Sequence, residues 1–474
     1  MSEFSDIEIA DVIESNRKRP ISTLDGMLEA LKWSPFSFFI IFVQSIQWAV
    51  AAQMFVMSAY LTPEGDIFTK EWNGTYTSVR DDWPDVPNYF TFTNSSYELI
   101  SSTEFVGSLL FGMIPNLLSD RYGRQSVLSV VLIGITIADT FVALSPNFWS
   151  VLMGRFLQGT FLNAISTLNA IHCLESVHRD SRFLFCFAFG FFWIIGYCII
   201  APIALLIGSW RWILGVNGIA AAVCTLVQLV IVPESPHFSI AHNDRDKLEE
   251  FVRAGEWFNR RTYNVDYDAI LTRNKKQLSR QPTSCTTKSL VAFLFKNPPV
   301  RLPLIVMCFV EISTFLSLAG IALDPTTQDF GDANWIFVLS GLVDFPAFCM
   351  APKFLDWFPS KLVLVSVSVC ASISLVLLSF LNDGLLNLIV WLISKFFATS
   401  CFITALIVST ELFPTKCRSS VVGFTLLFAN IGSLLGVHLI LWNENIAYQL
   451  FAVAQTIAAA LVAIFIPMKT KLEP

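Results

Sequence analysis

The sequence predicts an all-α polytopic membrane protein with twelve transmembrane helices in two homologous six-helix halves. Three observations predict it. The 474 residues are 54% hydrophobic and only 14% charged, with mean hydropathy +0.60, whereas soluble domains carry about 25% charged residues. Folded in water, such a chain would expose far too much apolar surface. Twelve apolar runs reach the ~20 residues that a bilayer-crossing helix needs. Polar landmarks then recur at one fixed offset along the chain.

Residues 1–35 are a polar cytoplasmic N-terminal tail without a cleavable signal, so the first run is expected to act as an uncleaved anchor. The N-terminal half, residues 36–232, has runs starting near Phe36, Leu99, Val127, Phe148, Phe183 and Trp212. The C-terminal half, residues 302–467, has runs starting near Leu302, Trp335, Leu362, Leu385, Ser420 and Ala447. The eighth run is the weakest, because Asp344 and Pro346 interrupt it. Residues 62–98 form an extracellular loop, 233–301 a cytoplasmic linker and 468–474 a cytoplasmic C-terminal tail. Sidedness follows from Lys and Arg in the short loops. Arg121, Arg124, Arg179, Arg182, Lys353, Lys361, Lys416 and Arg418 fall on the side of the linker and tails; the other side holds only Lys70, Arg80 and Arg211. The plasma membrane is the expected location. Asn73-Gly74-Thr75 and Asn94-Ser95-Ser96 are glycosylation acceptor sequences in the outer loop. Asn73 is the better placed of the two. In the linker, residues 244–263 read as a surface helix and 286–300 as a short amphipathic helix leading into the seventh run.

Asp120 closes the second run and Asp356 the eighth, 236 residues later. Glu175-x6-Arg182 follows the fourth run, and Glu411-x6-Arg418 follows the tenth at the same offset. Ile195-Gly196 matches Ile431-Gly432, again 236 residues on. Two parallel halves around a central site are one architecture of secondary transporters. Asp120, Arg121, Arg124, Glu175, Arg182, Asp356, Glu411 and Arg418 then read as a cytoplasmic gate, with ion pairs forming between the halves when that side closes. Loop topology alone explains the bases but not the repeated acids, which contribute little to orientation.

Ionisable groups within spans are costly and mark function by default. Glu311, Asp344 and Lys395 lie deep in the C-terminal half. Asp344 and Lys395 read as an acid–base pair that is either structural or open to competition from a charged substrate. Glu311 has no obvious partner and either faces a cavity or carries a proton. Glu104, Asp139 and Arg155 fall toward the outer third of their spans and read as a mainly structural network, able to snorkel toward water. Most of the 43 Phe face lipid or packing; Trp193, Phe424 and Phe428 are the aromatic candidates for a cavity, where an ammonium could meet a ring face.

The segment "NLLSDRYGRQ" (116–125) resembles the loop after the second span of the major facilitator superfamily, keeping Asp120, Arg121, Gly123 and Arg124. The copy "DWFPSK" (356–361) retains only Asp356 and Lys361. "RFLQG", "SWRW", "PESP", "GLVDFPA" and "STELFPTKCR" resemble the organic cation, anion and zwitterion transporter family within that superfamily, over nearly the whole chain. The seventh run lacks both the glutamines and tyrosines of sugar porters and the Tyr-Tyr-Gly element of organic-ion transporters, so the resemblance is to a divergent member. It implies the major facilitator fold and places Asp344 and Lys395 at positions that are acidic and basic in the family. It also places Asn430 where anion transporters tend to have Arg and cation transporters Asp.

No Gly-x4-Gly-Lys-Ser/Thr loop points to ATP. No Cys-x-x-Cys or basic patch with aromatics points to a metal or nucleic acid. The chain is expected to be no enzyme, to use no cofactor, and to work as a monomer with the lipid bilayer, a small organic solute and a proton or exchange ion as partners. The expected function is secondary transport of small organic ions by alternating access, with a slight lean to cations or zwitterions. The rivals are a sugar or neutral-solute porter and a transport-silent receptor or scaffold.

Overall fold

The computed structural model describes residues 20–61, 76–84, 86, 98–279, 298–322, 333–381, 384–413 and 418–466. Twelve spans follow one another. Span 1 is Pro35–Val56, started by Pro35 and by the Ser34 hydroxyl, which accepts from the Ser37 amide. Span 2 is Leu99–Phe111 continued, after a break at Gly112, by Met113–Tyr122. Span 3 is Arg124–Ala143 and span 4 Phe148–Ser176, the latter opened by an Asn147–Ser150 capping box. Span 5 runs through Arg182–Cys198 and Ile200–Ile207 to a left-handed Gly208, and span 6 is Trp210–Val230. The C-terminal half comprises spans 7 (Pro298–Ala322), 8 (Ala333–Trp357), 9 (Ser360–Leu378), 10 (Leu385–Leu412), 11 (Arg418–Trp442) and 12 (Glu444–Phe465).

Ten helices among the described residues are long and apolar enough to cross a membrane. Span 2 falls short because Gly112 divides it. Span 4 falls short in apolar character because it turns Arg155, Gln158, Asn163, Asn169 and His172 into the protein. Span 8, expected to be interrupted, is one continuous helix. Asp344 finds side-chain donors on neighbouring helices, and packed neighbours make a proline tolerable in a membrane helix.

The repeat reappears as packing. Spans 1 and 5, 2 and 4, and 3 and 6 pair in the first half; 7 and 11, 8 and 10, and 9 and 12 pair in the second. The repeated glycines explain one of these matches. A Cβ at Gly196 would lie 2.1 Å from the carbonyl oxygen of Ala49 on span 1; at Gly432 it would lie 2.2 Å from that of Ile312 on span 7. Only a missing side chain lets those backbones approach so closely. The halves meet along spans 2 and 11 and along spans 5 and 8.

The linker leaves from one face of the bundle, hereafter the linker face. Its helices are Pro236–Ala241, Arg245–Asn259 and Tyr267–Ser279. The second realises the expected surface helix; the segment 286–297 lies outside the described residues. Phe251 and Phe258 pack on Phe36, and Phe258 stacks on Phe39, so this helix is seated on the start of span 1. Asn259 Oδ1 accepts from the Phe36 amide at 3.1 Å. The N-terminal helix Leu24–Ala30 joins the same cluster, and Lys32 pairs with Asp180 at the turn between spans 4 and 5. The hydrogen bond from the Lys32 ammonium holds the Asp180 carboxyl below its usual range.

Candidate functional site

A cavity of about 690 Å³, counted with the open space at its mouth, lies where the halves meet. Six aromatic side chains line it: Trp48 and Phe55 of span 1, Phe105 of span 2, Trp193 of span 5, Phe315 of span 7 and Phe402 of span 10. Asn163 and Ser166 of span 4 and Asn430 and Ser433 of span 11 supply its polar lining. Among the described residues no Asp, Glu, Lys or Arg lines it. Two donors on its wall, Trp48 Nε1 and Asn163 Nδ2, are buried without a hydrogen-bond partner among the described residues. Asn430 spends its Nδ2 on the Leu426 carbonyl at 2.9 Å.

Trp193 and Asn430 thus stand on the cavity wall. Phe424 and Phe428, named as cavity candidates from the sequence, do not. On span 11 the lining stripe is Leu426, Ala429, Asn430 and Ser433. Residues 424 and 428 occupy another face of the same helix, packing on each other at 5.3 Å and on a cluster that includes Leu117 and Leu412. Glu311, 1% exposed, sits one turn from Phe315, with Oε2 unpartnered among the described residues.

Asp344 and Lys395 lie behind Trp193, both buried, with Nζ and Oδ2 4.0 Å apart. That is too far for a hydrogen bond. Each has closer partners. Asp344 accepts from Trp193 Nε1 at 3.2 Å and from Thr399 Oγ1 at 2.7 Å. Lys395 donates to Ser340 and to the Tyr197 hydroxyl, and its ammonium stands 4.3 Å from the Tyr197 ring centre. Tyr197 also meets Ser340 at 3.2 Å and the Ala322 carbonyl at 3.3 Å. The cluster therefore ties span 5 of the first half to spans 7, 8 and 10 of the second.

The N-terminal network is separate from the cavity. Arg155 bonds the Glu104 carboxylate, Gln158 Oε1 at 2.7 Å and Ser58 Oγ at 2.6 Å. Asp139 accepts from Gln158 and from Asn217 Nδ2 at 2.8 Å. The three charged residues are fully buried. None snorkels, contrary to expectation, because polar partners on spans 4 and 6, and Ser58 just beyond span 1, replace water.

On the linker face, Arg124 pairs with Asp120 and with Glu175, each at 3.2 Å. These two pairs lie within the first half. The reason is the "PESP" turn. Glu234 Oε1 accepts from the Arg124 and Gln125 amides, at 2.8 and 3.1 Å, at the start of span 3. Ser235 Oγ donates to Glu175 at 2.6 Å. Gly123, at φ +111°, leaves room for the Glu234 carboxylate, which a Cβ there would meet at 2.0 Å. Arg121 is exposed and lies over the Tyr122 ring. The side chains of Arg182, Asp356, Glu411 and Arg418, and the acceptor sites Asn73 and Asn94, lie outside the described residues. Elsewhere the halves also touch through His438 with Glu98 and Ser102, and through Tyr60 with Asn334.

Sequence reasoning weighed ionisable groups and passed over Gln158, Asn217, Tyr197, Ser340, Thr399 and Glu234. Amides and hydroxyls inside apolar runs were the signal for most of them.

Comparison with known proteins agrees with this architecture. The Major Facilitator Superfamily model matches residues 35–437. Organic cation transporter 1 of Caenorhabditis elegans is 23% identical over 339 residues, covering 71% of this chain and 57% of that protein. Organic anion transporter 3 of Oryctolagus cuniculus is 24% identical over 367 residues, covering 77% and 66%. The chain thus spans somewhat over half the length of these relatives. The proton:xylose symporter XylE bound to 6-bromo-6-deoxy-D-glucose superposes with TM-score 0.70 at 16% identity, covering 91% of this chain and 96% of that one. The chain belongs to the Major Facilitator Superfamily of membrane transporters, as a divergent member similar to organic cation and anion transporters.

Proposed function

We propose that this protein moves a small organic cation or zwitterion across the plasma membrane by alternating access, with the linker face cytoplasmic. The observation that carries the reading is the cavity: seven spans from both halves converge on an aromatic box without a lining charge among the described residues. Ring faces attract an ammonium most strongly where water is excluded. The free N–H groups of Trp48 and Asn163 suit an acceptor on the same solute, such as a carboxylate. Glu311, one turn beyond Phe315, supplies a buried acid beside the box without a described base to neutralise it. Such a carboxyl favours cations when ionised and can exchange a proton with the transport cycle. No bond is made or broken, and rocking of the halves about the cavity does the work.

The test is uptake of labelled organic cations, zwitterions, anions and sugars into proteoliposomes, by the parent chain and by Asn430→Asp. The parent should saturate with a cation or zwitterion. The substitution places a carboxylate on the wall and should raise cation over anion uptake about tenfold, ~1.4 kcal/mol of differential binding. Unchanged selectivity removes Asn430 from the solute's contacts. Saturation by sugars alone makes the protein a neutral-solute porter, and binding without flux makes it a receptor.

A further inference from the structure

Asp344 Oδ2 stands between two donors from different halves. Trp193 Nε1 of span 5 reaches it at 3.2 Å across the interface, and Lys395 Nζ of span 10 waits at 4.0 Å within its own half. The other carboxylate oxygen is held by Thr399 of span 10 at 2.7 Å, so the group can pivot about that bond. We propose that Trp193 is a positioning residue: when a solute fills the cavity, its indole lets go of Asp344, which closes on Lys395 and loosens span 5 from span 8, leaving the Tyr197–Ser340 and Cys198–Val338 contacts to hold them. The inference rests on the transport reading above.

Trp193 is the only residue of span 5 on the cavity wall among the described ones. Its ring packs against Trp48 and Phe55, with centroids 5.7 and 6.1 Å away, and these line the cavity too. A solute that stacks on the indole face, or takes its N–H with an acceptor, turns it away from Asp344. A buried carboxylate oxygen left without a donor is costly. Lys395 is the nearest remedy, and the new bond is charge-assisted. The exchange replaces a tie between halves with a tie inside one half. No charge enters or leaves the cluster, so the exchange reverses when the solute leaves. This is differential stabilisation of two discrete arrangements, which is what a ligand needs in order to shift a conformational equilibrium.

Opening of the span 5–span 8 interface can be read directly with a cysteine on its wall. Val338 is suitable, since its carbonyl faces Cys198 of span 5 and it stands nearly two turns from Asp344. The reporter is Val338→Cys in a chain with its native cysteines replaced, reconstituted in nanodiscs and titrated with a charged thiol reagent. Trp193→Phe keeps the ring and removes the N–H; labelling without solute should speed up about threefold or more, and solute should add little. Asp344→Asn keeps an acceptor for Trp193 but cannot form the ion pair with Lys395; labelling should slow, and solute should no longer accelerate it. General loosening of the fold would speed both variants, so opposite directions mark the switch. Labelling of Trp193→Phe at the parental rate, or faster labelling of both variants, overturns the proposal. If no solute changes the parental rate, the transport reading fails, while the solute-free rates still decide whether Trp193 holds the interface.

Discussion

At the contact between spans 2 and 4, a Cβ on Gly159 would lie 1.8 Å from the Glu104 carbonyl oxygen. The backbones touch there, and Glu104 turns its carboxylate to Arg155. The residues 236 positions later are Ser340 and Lys395. In the second half, therefore, the small residue has become a long base and the acid a hydroxyl, and Lys395 reaches past Ser340 to Tyr197 of the other half. The first arrangement is closed: Glu104, Arg155, Gln158, Asp139, Asn217 and Ser58 all belong to one half. Rocking leaves such a network intact. The second crosses the interface at Trp193 and Tyr197, so rocking has to remake it. One inherited helix pair thus serves as a strut in one half and as a catch in the other.

The largest test of this contrast is charge removal on each side. Arg155→Met strips the only described base from two buried acids and should cost about 3–5 kcal/mol, read as a lower melting temperature and poor folded yield in detergent. Lys395→Met should melt closer to the parent, because Asp344 keeps Trp193 and Thr399, yet lose solute uptake at equal surface level. The reverse ranking in melting would break the comparison. Gly159→Ala comes next. Spans 2 and 4 must part to admit the methyl, at about 1–3 kcal/mol, with a smaller change in apparent solute affinity than in melting, because the touching atoms themselves lie off the cavity. An affinity change as large as that in melting would mean that the strut moves during transport. The smallest effect belongs to Glu175→Gln, which loses a partly exposed ion pair with Arg124 but keeps an acceptor for Ser235. It should cost no more than about 1 kcal/mol in thermal melts. A larger loss would show that the linker-face cluster is a second strut.

The spans and the buried charges were legible because a bilayer makes apolar length and lone ionisable residues conspicuous. Asn430 lies on the cavity wall and Phe424 and Phe428 do not, since aromatic character says nothing about which face of a helix meets the cavity. Asp344 and Lys395 could be named as a pair. That each prefers other partners could not, because Tyr197 and Trp193 come from a helix about 150 to 200 residues earlier. Of the expected gate, the described pairs show only the first half's side. Arg124 is held by the "PESP" turn, through Glu234 on its amide and Ser235 on its partner Glu175, and that turn lies 110 residues further along the chain.

That turn also bears on how the protein is made. Span 3 is completed at both ends by residues of span 6 and its exit: Asn217 for Asp139 at one end, Glu234 for the Arg124 and Gln125 amides at the other. Glu234 leaves the ribosome 110 residues after Arg124. Asp139 finds Gln158 and Asn217 earlier in synthesis, but until Glu234 arrives the start of span 3 waits with bare helix-end amides. Once Glu234 arrives, the first half can close on itself before most of the second has been translated. A nascent chain stalled with residue 234 still inside the ribosomal tunnel should therefore remain open to protease at the start of span 3, whereas one stalled far enough beyond it for residue 234 to have emerged should not.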